Sequence, residues 1–84
     1  MRPEEILPDD VNEVSLDGVR VRKGSVAAFL ANARIVVDAA STDEARRTAE
    51  AHIADLVPSL VALHLFDVFD VRDPRIRALV ERYR

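Results

Sequence analysis

Valine and leucine alternate with polar residues at Val14, Leu16, Val19 and Val21, and Asp17-Gly18 sits between the two pairs. Period-two alternation marks strands with one apolar face, and Asp-Gly is favoured where both turn residues need positive φ. A two-residue turn then pairs Leu16 with Val19, Ser15 with Arg20, Val14 with Val21 and Glu13 with Arg22. The last of these is an opposite-charge cross-strand pair. Two strands alone are marginal in water, so the apolar face must lie on something else.

The period changes directly afterwards. Val26, Phe29, Leu30, Ala33, Val37 and Ala40 recur at helical spacing behind Ser25, which reads as an N-cap. The stretch 12–37 is therefore expected to be the unit around which the chain is organised. Ser41 and Glu44 have capping-box spacing and predict a second helix, with Ala45, Ala49, His52, Ile53 and Leu56 as its stripe, to about Val57. Arg34 with Asp38 and Asp43 with Arg47 are i, i+4 pairs. Pro58 predicts a break and a new short helix to about Leu65, because proline is tolerated in a first turn and disfavoured in a helix interior. Leu60, Val61, Leu63, Leu65, Phe66, Val68, Phe69 and Val71 follow so densely that this is expected to be the most buried part of the chain. Asp73 as N-cap and Pro74 in the first turn open a terminal amphipathic helix with Ile76, Leu79, Val80 and Tyr83 on one face.

The pattern predicts an α+β fold, a mainly helical small single domain over 1–84 with an N-terminal β-hairpin packed on three to four short helices. Residues 1–10 are read as an arm. The alternative is a small mixed sheet with extra strands near 34–38 and 61–71, since the β-branched run Ile35, Val36, Val37 also suits a buried strand.

Composition narrows the function classes. With 84 residues the core supplies roughly 3 to 5 kcal/mol of net stability, so self-association, as a homodimer, is expected. The absence of cysteine removes disulfides, thiolate chemistry and Cys-based zinc sites. No apolar run is long enough to span a bilayer and no leader pattern opens the chain, so a cytoplasmic protein is expected. Arginine dominates the basic residues in an alanine- and valine-rich chain, a bias associated with G+C-rich bacterial coding.

Residues 1–71 carry 7 basic and 13 acidic side chains and residues 72–84 carry 5 and 2, within a formal net charge of −3. The basic end, Arg72, Arg75, Arg77, Arg82 and Arg84, suggests weak nucleic-acid binding, which the acidic whole opposes. Lys23, Gly24 and Ser25 form an anion-binding candidate for a phosphorylated ligand, since a helix N-terminus offers unpaired N–H groups, yet the longer phosphate-loop patterns are missing. His52 with Asp55 and His64 with Asp67 have the spacing of an oriented imidazole, but a catalytic metal usually needs three protein ligands. Asp67, Asp70 and Asp73 recur without a glycine-containing calcium loop.

No catalytic constellation, cofactor motif or metal set emerges. The expectation is a non-enzymatic protein-interaction or regulatory module, with Arg75, Ile76, Leu79, Val80 and Tyr83 as the interaction candidate.

Overall fold

A computed structural model describes residues 13–84. Asn12 and the arm expected over 1–10 lie outside the described residues. Strands β1 (Glu13–Leu16) and β2 (Val19–Arg22) form an antiparallel hairpin. Helices α1 (Ser25–Val37), α2 (Asp43–Ala62), α3 (Leu65–Val68) and α4 (Pro74–Tyr83) follow. The result is a small α+β domain, mainly helical, and the hairpin is the only sheet among the described residues.

The hairpin has the register that its turn and alternation require, with Glu13 opposite Arg22, Val14 opposite Val21, Ser15 opposite Arg20 and Leu16 opposite Val19. Asp17 and Gly18 both take positive φ, 50° and 77°. Its apolar face turns inward, with Val21 fully buried. β2 lies against α2, where the Ser59 hydroxyl donates to the Arg20 carbonyl at 3.2 Å.

The organising element is not the hairpin-to-helix unit but α2, which packs against β2, α1, α3 and α4. Its buried stripe is Ala49, Ile53, Val57, Leu60 and Ala62. Pro58 does not break it: the helix runs on to Ala62. Proline inside a helix costs about 3 kcal/mol, but Val57 and Leu60, both 0% exposed, are held in the core only while the helix continues. Burial of two such side chains contributes about 3 to 6 kcal/mol, enough to outweigh the cost. His52, expected at the stripe, stands on the exposed side of α2.

The extra strands near 34–38 and 61–71 do not form. α1 continues through Val37 because Val36 is buried in the core, and the helix-propensity cost of a β-branched residue, about 0.5 kcal/mol, is smaller than the gain from that burial. The end of α1 is also held from outside. The Ser41 hydroxyl donates to the Ile35 carbonyl at 2.7 Å, and the Arg46 guanidinium donates to the carbonyls of Val36 (3.3 Å), Asp38 (3.4 Å) and Ser41 (3.2 Å). Arg46, rather than Arg47, pairs with Asp43, at 3.2 Å. Thr42 rather than Ser41 caps α2, its hydroxyl accepting from the Ala45 amide at 3.0 Å.

Across 61–71 the chain ends α2, turns at His64 with φ 61°, makes the four residues of α3 and then extends. This stretch is not the most buried part of the chain. Leu63, Leu65, Phe66 and Val71 only flank the core, and Val68 and Phe69 are 76% and 64% exposed. A left-handed turn followed by a single helical turn cannot keep successive side chains on one face. The core instead draws Ile76 and Val80 from α4, alongside Phe29 and Val36 from α1.

Candidate functional site

Helix α1 shows how an exposed apolar surface arises here. Of its stripe, Phe29 is buried, with its ring edge-on to Phe66 at 6.0 Å between centroids, while Ala33 and Val37 flank the core. Val26 and Leu30, at the edge of the same stripe, face outward, Leu30 being 57% exposed. An apolar face of α1 is therefore wider than the core it covers.

The surplus forms one wall of a groove of about 450 Å³. Val26, Leu30 and Ala33 line one side, Leu65, Phe66 and Phe69 the other, and Val71 and Ile76 also reach it. Polar groups enter only at the rim, through Asp70, Arg72 and Asp73. The segment after α3 is fixed in place rather than loosely attached. The Arg77 side chain donates to the carbonyls of Val71 at 2.9 Å and Arg72 at 3.4 Å. Asp73 caps α4 by accepting from the amides of Arg75 (2.8 Å) and Ile76 (3.4 Å), and it pairs with the Arg75 guanidinium at 3.3 Å. The side-chain hydrogen bond from Arg75, reinforced by those amides, holds the Asp73 carboxyl below its ordinary range.

The interaction candidate on α4 divides in two. Ile76 and Val80 are core residues, 4% and 1% exposed, and Leu79 packs at the core's edge. Arg75 and Tyr83 reach the surface, with the Arg82 guanidinium 5.4 Å from the Tyr83 ring centre. The apolar face of α4 is thus largely covered from within the chain, and the exposed apolar surface lies next to it. Sequence spacing did not find Leu30, Val68 or Phe69 as surface residues, because hydrophobicity and helical phase alone point them inward.

At the anion candidate, Gly24 takes the N-cap position of α1 with φ 88°, and Ser25 is the first helical residue instead of the cap. The chain turns from β2 into α1 within two residues, and the left-handed conformation this needs suits glycine. The Ser25 side chain is buried and its hydroxyl donates to the Arg22 carbonyl at 2.7 Å. A hollow of about 380 Å³ lies there, lined by Lys23, Gly24 and Ser25 together with Arg20, Arg22 and Asp55. Glu13 takes both neighbouring arginines, Arg20 at 3.0 Å and Arg22 at 3.7 Å. An incoming anion therefore meets arginines already paired with one carboxylate, and a second carboxylate in the wall.

The histidines separate. His52 meets Asn32 at 3.3 Å, not Asp55. His64 Nδ1 lies 2.8 Å from an Asp67 carboxylate oxygen, and its Nε2 lies 3.7 Å from Asp17 in the hairpin turn. Asp67 also receives Arg84 at 3.9 Å, so Asp67 and the capping Asp73 serve different contacts and do not converge. Among the described residues, no group of three or more His, Cys, Asp or Glu side chains could hold a metal ion. Of the basic end, Arg75, Arg77 and Arg84 are engaged within the chain, which leaves a thin basic surface for a phosphate backbone. No described helix is long and apolar enough to cross a membrane. Compared with family models, curated proteins and solved structures, the chain matches none.

Proposed function

We propose that this domain is a non-enzymatic protein-interaction module that self-associates through the groove between α1 and the α3 to α4 segment. The observation that carries the reading is the exposure of Leu30 and Phe69 in the lining of one apolar groove whose walls are held by Arg77 and Asp73. Contiguous apolar surface of this kind marks a contact site on a folded protein. The small core supports the same reading, since association stabilises a marginal fold by mass action.

Sedimentation equilibrium over a wide concentration range tests the proposal. The wild-type chain is expected to pass from monomer to dimer as concentration rises. Leu30→Asp, placed at an exposed position, should remain folded by circular dichroism and lose the association. A wild-type chain that stays monomeric to millimolar concentration, or a Leu30→Asp variant that associates as well as wild type, overturns it.

A further inference from the structure

The geometry points to a second copy of this chain as the occupant of the groove, docked about a two-fold axis so that Phe69 of each copy enters the other's groove and Asp70 of each faces Arg72 of the other. This rests on the self-association proposed above and adds its symmetry and its register. A two-fold contact uses the same patch on both partners, so the patch must complement itself. Here Phe69, 64% exposed, forms part of the wall of a hollow of about 450 Å³ with almost wholly apolar lining, which puts an exposed aromatic ring and a cavity that could receive one on the same patch. Aromatic anchors in desolvated pockets dominate the energetics of such contacts.

The charges show the same self-complementarity. Asp70 and Arg72 both line the groove's rim, carry opposite signs and have no side-chain hydrogen bond or ion pair among the described residues. The neighbouring charged groups differ: Asp73 is held by Arg75, and Arg77 is spent on the carbonyls of Val71 and Arg72. A partner carrying one sign of charge at this rim would satisfy one residue and repel the other. A second copy, turned by a two-fold rotation, presents both signs and satisfies both residues twice. A stable dimer covers about 800 Å² on each partner, roughly one-eighth of the 6105 Å² exposed by this chain. That area requires the rim, and not the groove floor alone, to join the contact.

The experiment is a charge exchange on the full chain, read by sedimentation equilibrium. Asp70→Arg alone sets arginine against Arg72 at both symmetric contacts, and Arg72→Asp alone sets aspartate against Asp70. Each single variant should dimerise about tenfold more weakly than wild type. An equimolar mixture of the two restores opposite charges at both contacts, and should form a heterodimer at close to wild-type strength, as should the homodimer of the double variant. Recovery in the mixture supports the register, because a merely structural role for either residue cannot be rescued by another molecule. If wild type dimerises and Leu30→Asp abolishes it, while the mixture stays as weak as the single variants, the two-fold register is wrong although the groove reading stands. If wild type never dimerises, both fail together.

Discussion

Ile53, Val57 and Leu60 lie along one face of α2 and are fully sealed from solvent, whereas Val68 and Phe69, with comparable side chains a short way further along the chain, stand mostly in water. The contrast is one of geometry rather than hydrophobicity. A helix of 20 residues returns to the same face every three or four residues, so each new apolar side chain is delivered to the core already formed by the previous turn. Helix α3, of four residues between a left-handed His64 and an extended Phe69, makes only one such delivery, Leu65 and Phe66, before the chain leaves that face. The same reasoning explains α1, where a stripe too wide for its core puts Phe29 inside and Leu30 outside.

Removing part of the sealed region should have the largest effect. Leu60→Ala deletes a side chain with 0% exposure from the centre of the core and is expected to destabilise the fold by about 2 to 5 kcal/mol, measured by urea unfolding at low protein concentration. A loss under 1 kcal/mol would mean that the core collapses around the gap and that the contrast between the two regions is shallow.

Next comes Pro58, the residue that α2 accommodates in order to keep Leu60 buried. Pro58 is itself exposed, so Pro58→Ala restores helix propensity without opening a cavity and should raise stability by about 2 kcal/mol, seen as a higher urea midpoint. A drop instead would show that the proline's restriction of the unfolded chain outweighs its cost in the helix. The smallest effect is expected in the exposed region. Val68→Ser should change the urea midpoint of dilute protein by no more than about 0.5 kcal/mol, because its side chain has little packing to lose. A core-sized loss there would break the comparison outright.

Much of the fold was legible in the residues, and the failures share one cause. The hairpin register follows from Asp17-Gly18 and strict alternation, and the start of α4 follows from Asp73-Pro74, because each is decided by groups only a few residues apart. The same local reasoning stopped α2 at Pro58, placed the caps at Ser25 and Ser41, and buried the whole segment from Leu60 to Val71, of which only Leu60 and Ala62 are buried. Each of those outcomes depended on a partner distant in sequence or on a competing hydrogen bond. Ser25 is taken by the Arg22 carbonyl and Ser41 by that of Ile35. The candidate site was less legible still. The sequence marked the α4 stripe, but packing against α1 and α2 consumed Ile76 and Val80 and left the neighbouring groove uncovered.

What the sequence by itself determined is the set of local commitments: where the chain reverses, where the last helix begins, and which stretches have one apolar face. Tertiary structure alone decided which apolar residues the limited interior could accept. The two differ in physical origin, since turn and cap preferences arise from φ, ψ and hydrogen bonds within a few residues, while burial is a competition among all apolar faces for one small volume. In this protein α2, α4 and the inner side of α1 took that volume, and Leu30, Val68 and Phe69 were left at the surface.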